Sequence, residues 1–177
     1  MMRKFNELPY NIKGMKHMKF LNVKRLVVLG VVLSAFATTV SAQMVFRNAV
    51  TGEELDLDEG KQEGRDTPAV KEFLQTGVNP YNEDESILEK ARSLYDTACS
   101  ACHGHHGEGR IGPALNRANW DYEVESDRGL FEVVFGGATR QMGPMNEMLT
   151  MDEILTVMAW IRHMYTGEPE TATWLTP

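Results

Sequence analysis

The stretch Cys99-Ser100-Ala101-Cys102-His103 (CSACH) contains both cysteines of this 177-residue chain. A Cys-x-x-Cys pair occurs in redox-active dithiols, in zinc sites and at sites where haem is covalently attached. In the third kind of site a histidine directly follows the second cysteine, as His103 does here. The rest of the sequence has to distinguish among these three kinds of chemistry.

The surroundings of the motif favour haem attachment. A structural zinc site usually has four Cys or His ligands; His105 or His106 would complete that count, but the spacing fits no common zinc finger. A thioredoxin-like dithiol needs a strand–helix–strand context, and no strand pattern precedes Cys99. We therefore expect Cys99 and Cys102 to attach one haem covalently and His103 to bind its iron.

The N-terminus has the pattern of an export signal. Residues 1–25 carry seven Lys or Arg and one acid, and an uncharged apolar run follows from Leu26 to Phe36. Small residues at Ser41 and Ala42 then mark a cleavage site. The run is shorter than the roughly 20 residues of a membrane span. We expect residues 1–42 to be a cleaved signal peptide and the mature chain to be periplasmic, without a stable membrane anchor; an uncleaved signal-anchor is the alternative. A disulfide between the two cysteines is an alternative in that compartment.

The expected mature chain, residues 43–177, is strongly acidic. It carries 11 basic and 24 acidic residues, a net charge of −13. Such a charge disfavours binding to nucleic acid or to an anionic membrane and favours a basic protein partner. Generic acidity of an exported protein is the alternative explanation.

A helix is predicted to lead into the motif. Asp84 or Ser86 can cap its first turn, and apolar residues then recur at helical spacing: Ile87, Ala91 and Leu94. The Gly- and Pro-rich segment after His103 predicts a loop.

Two later helices complete an all-α fold. One covers the apolar stretch that starts at Asp127 and stops at Gly136-Gly137. The last begins at a Thr150–Glu153 capping box, and Gly167 and Pro169 are expected to end it. We divide the mature chain into an irregular acidic N-terminal arm, residues 43–82, which we expect to lie over the surface, and a haem domain, residues 83–177. A short helix is expected in the arm at AVKEFLQTG.

The iron needs a second axial ligand unless that position is left open for chemistry. Class I cytochromes c supply a Met from a loop well downstream of the motif, a pairing that raises the reduction potential, so we expect a thioether here. Met142 lies 39 residues beyond His103 and precedes Gly143-Pro144, a pair that suits a tight loop over a haem face. Met145 is the second candidate. Three further methionines lie on a helical pattern and are expected to fill the core: Met151, Met158 and Met164.

Several longer segments resemble the cytochrome cL family, and together they cover nearly all of the mature chain. They are FRNAVTGEELDL, DTPAVKEFLQTGVNPYNEDE, LYDTACSACHGHHGEGRIGPALN, GLFEVVFGGATRQMGPM and MAWIRHMYTGEPE. The resemblance implies a small class I cytochrome c fold around one haem. It also implies His/Met ligation, with the methionine before a Gly-Pro pair, which is Met142 here.

Two further residues are expected near the haem. The IGPAL segment is typical of class I cytochromes c, and it makes the Pro113 carbonyl the candidate acceptor of the second N–H of His103. Trp120 is expected either to donate its indole N–H to a haem propionate or to close the pocket as a half-buried ring. His105 and His106 are expected to be exposed.

The resemblance implies an electron carrier, not an enzyme. Members of the family accept single electrons from PQQ-dependent methanol dehydrogenase, of the calcium or the lanthanide type, and pass them to another cytochrome c. The short tail after Gly167 slightly favours the lanthanide-type partner. Two alternatives stay open: a cytochrome subunit of another alcohol or sugar dehydrogenase, and a c-type haem peroxidase.

Overall fold

The computed structural model describes residues 44–120, 124, 126–139 and 141–175. The predicted signal peptide, with its cleavage site after Ala42, lies outside this part of the chain. The described residues form five α-helices and three short 3-10 turns. The helices are α1 (Pro68–Thr76), α2 (Leu88–Ala98), α3 (Ser100–His103), α4 (Asp127–Gly136) and α5 (Met151–His163). The turns are Glu85–Ile87, Pro169–Thr171 and Thr173–Leu175.

The predicted all-α class is confirmed. The only extended pairing among the described residues is an isolated antiparallel bridge between Arg47 and Glu54. In the same part of the chain, no helix combines the length and the apolar character needed to cross a membrane. The fold therefore rests on helix packing.

The ends of the helices follow local sequence signals. At the start of α5, Thr150 Oγ1 accepts from the Glu153 amide at 3.2 Å, and Glu153 Oε2 accepts from the Thr150 amide at 2.8 Å. This confirms the predicted capping box. The helix ends at His163, so the predicted stop at Gly167 is four residues too late. Gly137, with φ +81°, ends α4 as expected.

Helix α5 forms the centre of the core, and α1, α2 and α4 all pack on it. Its fully buried side chains include Ile154, Leu155, Val157 and Met158. Burial of one such side chain stabilises the fold by about 1.5–3 kcal/mol. The capping box therefore positions the helix on which the other elements depend.

The arm contributes more to the core than its acidic composition suggests. Phe46 and Phe73 are 2% and 1% exposed and lie with their ring centroids 5.5 Å apart. Phe73 also packs 4.9 Å from Phe131 of α4. The short helix expected in the arm is α1. The expectation that the arm lies over the surface is wrong at these positions, because its few aromatic residues are inserted between the helices.

A buried ion pair joins distant parts of the chain. Arg162 Nη1 donates to Asp127 Oδ1 at 2.9 Å, and Asp127 is 0% exposed. Asp127 Oδ2 accepts from the amide of Asn79 at 2.8 Å and from Asn82 Nδ2 at 2.7 Å. Arg162 also donates to the Trp174 carbonyl at 3.1 Å. The pair thus links the arm, α4, α5 and the C-terminal segment.

The C-terminal segment is anchored by Trp174, which is 1% exposed. Its ring stacks on Trp120 with centroids 4.2 Å apart, and its Nε1 donates to the Arg117 carbonyl at 3.1 Å. This segment therefore covers the chain that follows the Cys-x-x-Cys-His motif.

Candidate haem-binding site

The motif forms a single helical turn at the end of α2. The amide of Cys99 donates to the Tyr95 carbonyl at 2.8 Å, and the amide of His103 donates to the Cys99 carbonyl at 2.9 Å. Cys99, Cys102 and His103 occupy positions i, i+3 and i+4, which share one helix face. Two sulfur atoms and an imidazole are therefore brought together on one side of this turn.

The two thiols differ in their surroundings. Cys102 is exposed, whereas Cys99 is half-buried. Burial raises the pKa of the Cys99 thiol to about 12, so this sulfur carries its proton near neutral pH. Among the described residues, no group of three or more His, Cys, Asp or Glu side chains is arranged to hold a metal ion. The zinc alternative therefore finds no support in this part of the chain.

Loop 104–113 folds back onto the motif through main-chain bonds. Gly109 N donates to the His103 carbonyl at 2.8 Å, and Gly112 N donates to the Cys102 carbonyl at 2.9 Å. Tyr95, which is 0% exposed, donates its hydroxyl to the Gly104 carbonyl at 2.8 Å. Burial raises the pKa of this hydroxyl well above its ordinary value, which keeps the donor protonated.

The imidazole of His103 is held between two residues of this loop. Its Nδ1 lies 2.9 Å from the Pro113 carbonyl oxygen, the partner expected from the sequence. A carbonyl oxygen only accepts, so Nδ1 carries a proton, and in the neutral imidazole Nε2 then has the free lone pair. A Cβ added to Gly112 would lie 2.8 Å from His103 Cε1, so only glycine fits there without a shift. That Pro113 orients an iron ligand stays a prediction.

The loop expected to carry the methionine ligand, GGATRQMGPMNEM at residues 136–148, turns sharply near its start. A Cβ added to Gly137 would lie 2.8 Å from Pro144 N, so the start of the loop packs closely against its middle. The amide of Ala138 donates to the Met142 carbonyl at 2.9 Å, and the amide of Met145 donates to the Val134 carbonyl at 3.1 Å. Met142 and Met145 are both half-buried against the core. Both stay candidates for the second axial ligand.

The burial of the other methionines and histidines singled out from the sequence agrees with the prediction. Met151 and Met158 are 3% and 0% exposed, and the half-buried Met164 packs against the same core. This confirms their expected role as core residues. His105 and His106 are exposed as predicted.

Trp120 is half-buried and donates its indole N–H to the Leu115 carbonyl at 3.2 Å. It would have to leave this acceptor to serve a haem propionate. Its stacking on Trp174 agrees with the alternative expectation of a half-buried ring.

The donor set of the site fits a c-type haem. Two unpaired thiols and an imidazole are the groups of the haem-attachment motif. The half-buried Met142 and Met145 are the candidates for the other iron ligand. Gly112 and Tyr95 were not singled out from the sequence. Tyr95 precedes Cys99 by one helical turn, a spacing that predicts a shared face but not the bond to Gly104.

Comparisons with known proteins show the family of this chain. Residues 87–161 match the family described as cytochrome C oxidase, cbb3-type, subunit III. Cytochrome c-L of Methylorubrum extorquens is 53% identical over 154 residues, which cover 85% of this chain and 78% of the relative.

Two crystal structures are similar over most of this chain. Cytochrome CL of Methylophaga aminisulfidivorans aligns with a TM-score of 0.71 and 51% identity, covering 76% of this chain and 89% of the other. Cytochrome cL of Hyphomicrobium denitrificans aligns with a TM-score of 0.68 and 53% identity, covering 70% and 75%. These relationships confirm the class I cytochrome c fold. The chain belongs to the cytochrome cL family of c-type, electron-transferring cytochromes.

Proposed function

We propose that this protein is a periplasmic mono-haem carrier, which accepts single electrons from a PQQ-dependent methanol dehydrogenase and passes them to another cytochrome c. The relationship to cytochrome c-L over most of the chain carries this proposal. The pattern of residues 1–42 supports export, with cleavage after Ala42.

The motif supplies the covalent attachment. Cys99 and Cys102 would hold the haem by adding the S–H bond of each thiol across one vinyl group of the porphyrin, which forms one thioether bond per cysteine. The sequence contains a single Cys-x-x-Cys-His motif, which supports one haem. When bound, the haem supplies a one-electron Fe(III)/Fe(II) couple.

His103 and Met142 are the proposed axial ligands, and Met145 is the second candidate for the thioether. Pro113 fixes the tautomer of His103 by accepting from Nδ1. If His103 and a methionine both held the iron, the haem would supply electron transfer rather than oxygen or peroxide chemistry. The chain then positions the haem and excludes side reactions, and it breaks no substrate bond. This supports a carrier over a peroxidase.

The acidic surface is proposed to guide the encounter with the dehydrogenase. A net charge of −13 on residues 43–177 favours approach to a basic patch, and salt screens such attraction. We expect the second-order rate constant of reduction by the dehydrogenase, measured by stopped flow, to fall as ionic strength rises. A rate constant that does not respond to salt would refute the steering role. Co-purification as a complex that survives high salt would indicate a fixed subunit of another dehydrogenase.

A further inference from the structure

We propose that the N-terminal arm positions the methionine loop, and that Gly60 is the residue through which it does so most directly. This inference rests on the His/Met ligation in the proposed function. It assigns a role in ligand positioning to a segment that lies before the haem motif in the sequence.

The closest contact joins Gly60 and Asn146, main chain against main chain. A Cβ added to Gly60 would lie 2.7 Å from the carbonyl carbon of Asn146 and 2.9 Å from its Cβ. The next residue, Lys61, donates its amide to the Asn146 carbonyl at 2.9 Å. Gly60 also has φ +80°, a region that L-residues with side chains rarely adopt. Asn146 directly follows Met145 and lies four residues after Met142.

A second contact holds the beginning of the loop. Asn48 Nδ2 donates to the Gly136 carbonyl at 3.2 Å. A Cβ added to Gly136 would lie 2.8 Å from Leu55 Cδ2. The arm therefore packs against the end of α4, where the chain turns into the methionine loop.

A third contact holds the chain that leaves the loop. Thr67 Oγ1 and the Tyr81 hydroxyl both donate to Asp152 Oδ1, at 2.9 Å and 2.8 Å. A Cβ added to Gly64 would lie 3.3 Å from Thr150 Oγ1. The arm thus contacts the chain before, within and after the segment that carries both candidate thioethers.

These contacts have a consequence for iron ligation. Main-chain bonds outside the arm already hold both candidate ligands: the Ala138 amide donates to the Met142 carbonyl, and the Met145 amide donates to the Val134 carbonyl. The arm adds the bond from Lys61 to Asn146, the residue that follows Met145. Supporting contacts that fix a ligand's backbone reduce the population of states in which the ligand has left the metal. Releasing Asn146 from the arm should therefore make the thioether easier to displace.

Gly60→Ala tests this role, with Gly52→Ala as the matched control. Both glycines lie in the arm at positive φ, +80° and +72°, but a Cβ at Gly52 meets no atom within 4 Å. The ferric holoprotein of each variant is titrated with imidazole, which must displace the thioether to bind iron. We expect imidazole to bind Gly60→Ala about tenfold more tightly than wild type, a change of about 1.4 kcal/mol. Its long-wavelength thioether-to-iron absorption should weaken. Gly52→Ala should match wild type.

Equal imidazole affinity in the two variants would overturn the proposal, as would a wild-type protein without the thioether band. If Gly60→Ala fails to accumulate as folded holoprotein, Asn48→Asp replaces it. That variant keeps the turn-capping Oδ1 and removes the donor to Gly136, and it should bind imidazole about threefold more tightly. A wild-type affinity in Asn48→Asp would then overturn the proposal. No dehydrogenase is used, so the result is independent of the proposed electron donor.

Discussion

The Nδ1 atom of His103 lies 2.9 Å from the carbonyl oxygen of Pro113. This bond joins the last residue of the haem motif to the loop that folds back beneath it, and it leaves Nε2 free to bind iron. Because Gly112 packs against the same ring, the orientation of the imidazole depends on two consecutive residues of this loop.

Gly112→Ala should disturb the imidazole. The added Cβ would lie 2.8 Å from His103 Cε1, so either the ring or the loop has to move. We expect a lower yield of covalently haem-loaded protein and a lower reduction potential, measured by haem staining and redox titration. Gly129→Ala in α4 is the control, because its Cβ would meet only ordinary contacts at 3.7 Å. Equal behaviour of the two variants would show that the close fit at Gly112 is unimportant.

Asp127→Ala should be strongly destabilising. It leaves the half-buried Arg162 guanidinium without its anionic partner and removes the acceptor for Asn79 and Asn82. Breaking a buried pair in this way costs about 3–5 kcal/mol, which urea denaturation of the holoprotein measures. The Arg65–Asp58 pair has the same 2.9 Å separation, but Asp58 is 93% exposed. Asp58→Ala should therefore change the free energy of unfolding little, and a similar loss in both variants would contradict this account.

Ionisation of Tyr81 should lower the stability of the protein at high pH. Burial, followed by its hydrogen bond to Asp152, raises the pKa of Tyr81 from 10.0 to about 12. Between these values the folded chain holds a proton that the unfolded chain has lost. The stabilising contribution is therefore complete below pH 10 and decreases as the pH rises toward 12. Tyr81→Phe should show a shallower decline of the free energy of unfolding across this range. If the free energy of unfolding declines equally with pH in the two proteins, the pKa of Tyr81 is not raised by folding.

Met142→Ala and Met145→Ala should differ in their spectra. Loss of the proposed ligand, Met142, should abolish the thioether-to-iron absorption and lower the reduction potential. Met145→Ala should keep both properties, with only a loss of packing. The reverse pattern would assign the iron to Met145. If the absorption band persists in both variants, neither Met142 nor Met145 is the ligand.

The features that could be predicted from the sequence are mostly local. The Cys99–His103 motif, the Thr150–Glu153 capping box and the glycine end of α4 each depend on residues close together in the chain. The bond from His103 to Pro113 spans ten residues. It could be predicted because the IGPAL segment is typical of class I cytochromes c.

The features that could not be predicted depend on long-range contacts. The Arg162–Asp127 pair spans 35 residues and the Trp174–Arg117 bond spans 57, and neither has a periodic signal. Phe46 and Phe73 are isolated apolar residues in an acidic segment. The average composition of that segment therefore did not predict that they are buried in the core. In the sequence, Gly60 does not differ from the other glycines of the arm; its close contact with Asn146 depends on the tertiary fold.

Reduction of the haem by the proposed donor tests the central claim most directly. Oxidised mature holoprotein is mixed with calcium-type and, separately, with lanthanide-type methanol dehydrogenase, methanol is added, and the haem α-band is followed. We expect rapid reduction by at least one of the two enzymes, which also identifies the type of partner. No reduction by either enzyme, with the haem still intact and low-spin, would contradict the account.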